Sequence, residues 1–244
     1  MKILSVINEK GGVGKTTTTL NVAHELARHG LRTLLLDLDK QCDLTKTVYR
    51  QPWEVGIREV LEGTTSIDEI YYENEEKLRF ILGSKDISAF KDNGADLRLI
   101  LEQAGIDKET DFVVIDYPPE ANDATIKGLI ASDYVLIVTE VETLSIDNLL
   151  PMIETLEVVC SSHERPFNII GIVANKVDYR RNLTKINYER LSRMLGNILF
   201  DTHIGTNTMI PYSIQEGVPV RKVGWSKAAK QYSLLVEEML ERMK

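Results

Sequence analysis

The residues best equipped for chemistry are Lys10-Gly11-Gly12-Val13-Gly14-Lys15-Thr16-Thr17, which follow directly on the apolar run Ile3-Leu4-Ser5-Val6-Ile7. This order predicts a strand, a phosphate-cradling loop and a helix. Glycines let the backbone curl so that amides at Gly11, Gly12, Val13 and Gly14 face phosphate oxygens. The helix that follows presents its positive end, with Thr17 in its first turn, to the same anion. Lys15 would lie along the β- and γ-phosphates and Thr16 would hold Mg²⁺ through its hydroxyl. The common spacing G-x-x-x-x-G-K-[ST] requires glycine at position 9, where this chain has Glu9, and a second lysine, Lys10, opens the loop.

Carboxylates at strand ends supply the second chemical element. Phe112-Val113-Val114-Ile115-Asp116 is an apolar strand closing on an acid, the arrangement of a Walker B element whose carboxylate reaches Mg²⁺ directly or through water. Leu34-Leu35-Leu36 runs into Asp37-Leu38-Asp39, and two acids at i and i+2 of a strand share a face and a task. Asn175-Lys176-Val177-Asp178, after the run Ile169 to Ala174, matches the guanine-reading pattern N-K-x-D.

The variant loop K-G-G-x-G-K-[ST]-T resembles the deviant Walker A motif of the ParA/MinD family of ATPases. In that family the early lysine reaches across a dimer to the partner's nucleotide, which implies an ATP-dependent homodimer in which Lys10 and Lys15 are both catalytic. Asp37-Leu38-Asp39-Lys40-Gln41 is similar to the family's D-x-D-P-Q, with Lys40 in place of proline. The resemblance implies that Asp39 orients or deprotonates the attacking water and that Asp37 supports the metal's water shell. Tyr117-Pro118-Pro119 is similar to the end of I-D-T-P-P, with Tyr117 replacing a small hydroxyl residue. ParA-like proteins offer adenine an asparagine at the location of Asn175, so ATP is expected in preference to GTP. Thr208-Met209-Ile210-Pro211-Tyr212, Gly217-Val218-Pro219-Val220 and Ser226-Lys227-Ala228-Ala229 are similar to the closing region of ParA proteins, which makes Pro211 and Tyr212 candidates for covering the base. The resemblance runs from about residue 1 to about residue 240.

The elements that must position these residues are legible as apolar runs bounded by polar turns: Ile3 to Ile7, Thr33 to Leu38, Arg79 to Leu82, Phe112 to Ile115, Val135 to Thr139 and Ile169 to Ala174. Runs that are apolar throughout suggest a sheet buried on both faces, and their alternation with helical stretches predicts an α/β, doubly wound, mostly parallel sheet flanked by helices, a P-loop NTPase. Leu20, Ala23, Leu26 and Ala27 form one side of the first helix, which should stop near Gly30. The last stretch sets Ala228, Tyr232, Leu235, Val236, Met239 and Leu240 at helical spacing with Glu237, Glu238 and Glu241 between them. Such an acidic polar side favours packing on the domain over a membrane.

With 244 residues and 43% hydrophobic content, the chain reads as one nucleotide-binding domain over 1–244. No window approaches a membrane span, and a cytoplasmic protein is expected. Cys42 and Cys160 are too few for a disulfide scaffold and are expected reduced, Cys160 packed near a helix end. The net charge of −8 argues against an extensive nucleic-acid surface, but the cations cluster. Lys176, Arg180, Arg181, Lys185, Arg190 and Arg193 face only Asp178 and Glu189, and Arg221, Lys222, Lys227 and Lys230 lie in a stretch with no acid. Such segments are either solvated helix faces or phosphate-contacting patches.

Together with the resemblance, these features imply a ParA-type partition ATPase whose ATP dimer binds double-stranded DNA nonspecifically, on the nucleoid. A centromere-bound partner of the ParB type would stimulate hydrolysis and release it. Arg221, Lys222, Lys227 and Lys230 are the expected DNA contacts. The chain starts almost at its first strand, so autorepression through an N-terminal helix-turn-helix is not expected. The alternative is a MinD-like switch that positions cargo or acts at a membrane without DNA.

Overall fold

The computed structural model describes residues 1–161 and 166–244; the Cys160 side chain, and with it the expectation for its packing, lies outside the described residues. Along the chain run β1 (Lys2–Ile7), α1 (Lys15–Arg28), β2 (Thr33–Asp37), α2 (Asp43–Tyr49), α3 (Ile57–Leu61), β3 (Tyr71–Glu73), β4 (Arg79–Ile81), α4 (Leu97–Gln103) and α5 (Ile106–Glu109). Then follow β5 (Phe112–Asp116), α6 (Asp123–Ala131), β6 (Tyr134–Glu140), α7 (Thr143–Asp147), α8 (Leu149–Ser161), β7 (Asn168–Asn175), α9 (Asn182–Leu195), α10 (Met209–Glu216) and α11 (Lys227–Arg242).

The seven strands form one sheet in the order β3-β4-β2-β5-β1-β6-β7, parallel throughout except where β3 pairs with β4. All five residues of β5 are buried, as are the last five of β1, because helices cover both sheet faces and no side of the central strands meets water. The six apolar runs appear as six of the strands. Edge strand β3, Tyr71–Glu73, was not foreseen. It is short and polar, its Tyr72 ring stacks on Phe80 of β4, and its existence depends on that cross-strand neighbour rather than on its own pattern.

Parallel register fixes the chemistry. Asp37 at the end of β2 lies beside Asp116 at the end of β5, and Val6 of β1 lies on the other side of Asp116. The carboxyl ends of β2, β5 and β1 thus meet where the winding turns from one half of the sheet to the other, the usual ligand position in such sheets. Helix α1 ends at Arg28, and Gly30 follows in the left-handed region at φ 80°, as a closing glycine should. Helix α11 buries Ala228, Tyr232, Leu235, Val236 and Met239 and packs on α1, so its apolar side is used inside the protein.

Candidate functional site

Between β1 and α1 the backbone enters the left-handed region at Gly12 (φ 78°) and Gly14 (φ 96°). A side chain at position 14 would also place its Cβ 2.3 Å from Asn175 Nδ2. Asn175 donates that amide to the Val13 carbonyl at 2.7 Å, and Lys176 donates to the Gly12 carbonyl at 2.5 Å, so the end of β7 holds the loop from outside. Asn8 secures its start, donating to the Val138 carbonyl and accepting from the Lys10 amide. The loop is preformed.

The Lys15 side chain is enclosed, 6% exposed, and its amine donates to the Lys10 carbonyl at 3.2 Å. Burial lowers its pKa, against the pull of Asp116 and Asp39. Asp116 is fully buried; Thr19 donates to its Oδ1 at 3.3 Å, and the Thr16 hydroxyl lies against it as well. Its Oδ2 has no hydrogen-bond partner. Burial and the adjacent Asp37 carboxylate raise Asp116 well above the ordinary carboxylate range. An orphaned, buried carboxylate oxygen beside a threonine hydroxyl and a lysine suits a hard divalent cation with oxygen ligands.

Asp37 is placed differently from the expectation. Its Oδ2 accepts from the Thr45 amide at 2.9 Å and the Thr45 hydroxyl at 2.8 Å, and its Oδ1 accepts from the Asp39 amide at 3.0 Å. Both oxygens take part in fixing α2 and the turn before it, so Asp37 positions those elements, with one lone pair of Oδ1 left over. Burial raises its pKa to about 6, against these hydrogen bonds. The strand stops at Asp37, so Asp39 does not share a strand face with it. Instead Asp39 sits on the turn, half-buried, accepting from the Gln41 amide at 2.8 Å and acting electrostatically on both Lys15 and Asp116. Next to it Cys42 is buried at φ 51°, and burial, helped by Asp37, pushes its thiol up to about 12, leaving it unreactive.

The two departures from the family pattern have structural uses. Lys40 pairs with Glu120 at 3.2 Å, tying the Asp39 turn to the loop after β5. The Tyr117 hydroxyl accepts from Ser5 at 2.9 Å beneath α6, where the lack of a side chain at Gly128 makes room for it: a Cβ there would lie 2.4 Å from the hydroxyl. Tyr117 is therefore core and no phosphate ligand.

Lys10 points away from its own cradle. Its amine bonds Glu140 at 2.8 Å, Glu142 at 2.7 Å and Ser145 at 3.1 Å, on the end of β6 and the start of α7. Those contacts raise its pKa. Glu140 also pairs with Lys176 at 2.7 Å; burial would push its carboxyl up, but the two lysines hold it below the usual range.

A cavity of about 630 Å³ opens past the end of β7, lined by Asp178, His203, Gly205, Asn207, Lys227 and Gln231 among others. Gly205 pairs with Val177 in an isolated parallel bridge, so the loop that borders this cavity is 199–208. Pro211 and Tyr212 are not among the lining residues. They are exposed on α10, whose Ile214 and Gln215 instead line a second recess with Thr16, Thr17 and α2. Asp178 is held by Arg180 at 2.7 and 2.8 Å, which with the Arg180 amide brings its carboxyl to about 2.

The expected DNA contacts separate into two kinds. Arg221 is 19% exposed at its side chain and bonds the buried Glu25 at 2.6 Å as well as the Ala229 carbonyl at 3.0 Å. It is an internal strut between α1 and α11. Lys222 pairs with Glu76 at 2.6 Å, and Lys227 and Lys230 are exposed. In the other basic segment Lys176, Arg180, Arg190 and Arg193 all have acidic partners.

The family model described as AAA domain matches residues 1–169. The chromosome-partitioning ATPase Soj of Treponema pallidum is 28% identical over 253 residues, covering 99% of this chain and 98% of its own length. Among solved structures, the cobyrinic acid a,c-diamide synthase of Mycobacterium smegmatis with bound ATP analog and magnesium superposes with a TM-score of 0.83 at 23% identity, covering 100% of this chain and 96% of the other. The septum site-determining protein MinD of Pyrococcus horikoshii, complexed with Mg-ADP, gives 0.81 at 21% identity, covering 97% and 95%. At these identities the two structures share a fold with this chain.

Proposed function

The chain belongs to the AAA domain family and, within it, to the ParA/MinD group of deviant Walker A ATPases, and from this premise we propose that it is a partition-type ATP switch acting as one domain over 1–244. Amides of the loop Gly11 to Thr17 would cradle the triphosphate of ATP, with Lys15 on the β- and γ-phosphates. Thr16 and Asp116 would hold Mg²⁺, and the unpartnered Asp116 Oδ2 supports that choice. The ion, when bound, neutralises charge on the phosphate oxygens. Asp39, on its turn beside Lys15 and Asp116, would orient the attacking water. Asn175, which holds the Val13 carbonyl, would stand between the loop and the adenine.

The observation that carries this reading is the position of Lys10. Its amine rests on the rim, on Glu140, Glu142 and Ser145, while Lys15 alone enters the cradle. A lysine stationed outside its own site can complete a neighbour's, so two ATP-loaded chains would face one another and hydrolysis would part them. The ATP dimer would bind duplex DNA nonspecifically, and a ParB-type partner would accelerate hydrolysis. Lys10→Ala should still bind ATP in a thermal-shift assay but hydrolyse it at least tenfold more slowly. Hydrolysis by the variant at the wild-type rate would refute the arrangement.

Internal pairing of Arg221 and Lys222 favours keeping the MinD-like reading as the second one, since it shrinks the expected DNA patch. Duplex gel shifts beside vesicle sedimentation, both with ATP, separate the two.

A further inference from the structure

Trp225 is 79% exposed, more than any other large hydrophobic residue among the described ones. Trp53, the other tryptophan, packs edge-on against Tyr49 and donates its indole N–H to the Gly83 carbonyl at 2.8 Å. The Trp225 ring has one described contact, the Arg221 guanidinium 5.8 Å from its centroid.

The backbone on either side of that ring is fixed. Arg221 is anchored by Glu25 and the Ala229 carbonyl, the Lys222 amide bonds the Pro219 carbonyl at 2.9 Å, and Gly224 turns the chain at φ 134°. On the other side Ser226 caps α11 by accepting from the Ala229 amide at 3.1 Å. Only glycine holds a φ like that of position 224 without strain, so the turn is built to project the next residue. A ring held this way loses little conformational freedom when it docks.

Its surroundings are cationic. Lys227 and Lys230 are exposed, Lys222 is exposed and paired with Glu76 from another segment, and residues 221–230 include no acid. Polyanions with flat apolar faces match an isolated aromatic ring amid lysines, and nucleic acid combines phosphates with stackable bases. A membrane fits less well, because the ring stands alone and α11 exposes Glu237 and Glu241 toward solvent.

We propose that Trp225 is an aromatic nucleic-acid contact, packing as a wedge against base edges while Lys230 and its neighbours meet the phosphates. This rests on the DNA-binding reading above and adds to it a contact that salt does not weaken. An apolar wedge enters at base steps of many sequences from the minor groove, so such a contact preserves sequence tolerance.

The test uses the full chain with a slowly hydrolysed ATP analogue and random-sequence duplex at several salt concentrations. Trp225→Ala should weaken binding by roughly tenfold at every salt concentration, leaving the slope of log affinity on log salt unchanged. Lys230→Ala should instead lower that slope by about one. In Trp53→Phe protein, where Trp225 is the single tryptophan, duplex should quench the emission. Unaltered affinity in Trp225→Ala, or emission indifferent to DNA that wild type demonstrably binds, would overturn the wedge while leaving the partition reading intact. Wild type that binds no duplex defeats that reading and the wedge together, and Trp225-dependent binding to anionic vesicles in place of duplex would assign the ring to lipid.

Discussion

Glycine at position 14 is required on two counts, its φ of 96° and the 2.3 Å that would separate a Cβ from Asn175 Nδ2. Gly14→Ala should therefore cost about 1–3 kcal/mol and displace the amide that secures the Val13 carbonyl. Its melting temperature should fall and no longer rise with Mg·ATP; a wild-type ligand shift would show that the loop tolerates the change. The buried carboxylates make a prediction of another kind. Asp37 rises from 3.8 in the unfolded chain to about 6 in the folded one, so the native state holds an extra proton between those values. Stability from that proton is complete below about pH 4 and lost as pH rises through about 6. Asp116, also raised, acts in the same direction. His24 and His203, whose pKa values burial lowers, act the other way over the same range, so the test is the difference between proteins: between pH 4 and 7 wild type should lose more stability relative to Asp37→Asn in urea titrations, and Mg·ATP should restore more stability at pH 7 than at pH 5. Parallel profiles for the two proteins would mean that the Asp37 carboxyl is solvated.

Elements differ in how plainly the sequence announces them. Strands buried on both faces are legible because every residue must be apolar, and β1, β2, β5, β6 and β7 came within a residue or so of their expected limits. Edge strand β3 was hidden, since a three-residue polar segment gains its identity from Phe80 opposite. The phosphate loop was readable from glycine spacing, as positive φ leaves few alternatives. Asp37 was not, because a carboxylate at a strand end carries no mark of which neighbour it will bond; Thr45 lies eight residues on. Pro211 and Tyr212, expected in a covering loop, stand instead on α10, while the loop that borders the 630 Å³ cavity is 199–208. Likewise a run of cations does not disclose which are struts. Arg221, between the buried Glu25 and the Ala229 carbonyl, joins α1 to α11. Arg221→Ala should lower stability by about 2 kcal/mol, with Arg28 still compensating part of the Glu25 charge. Lys230→Ala, on the exposed side of α11, should change it by no more than about 0.5 kcal/mol. Equal denaturant midpoints for the two would remove the strut.

At the scale of the whole molecule, one sheet brings three strand ends together, and of the groups the hydrolysis reading needs, all carried on the loops at those ends, one is turned away from the cradle. The exception is Lys10, kept at the rim by two glutamates of its own chain. In the proposed dimer its release from Glu140 and Glu142 would be offset by phosphate oxygens of the nucleotide in the other subunit, which would make association depend on the triphosphate. Hydrolysis removes the γ-phosphate and with it the compensation. On the proposed reading the same logic would tie DNA binding to nucleotide state, since two faces of lysines and Trp225 would bind a duplex more tightly than one.

Sedimentation velocity with Mg²⁺ and a slowly hydrolysed ATP analogue tests this most directly. The account predicts a dimer with the triphosphate, monomers with ADP, and monomers under both conditions for Lys10→Ala. Wild type that remains monomeric with saturating triphosphate, or a Lys10→Ala protein that dimerises as wild type does, would contradict it.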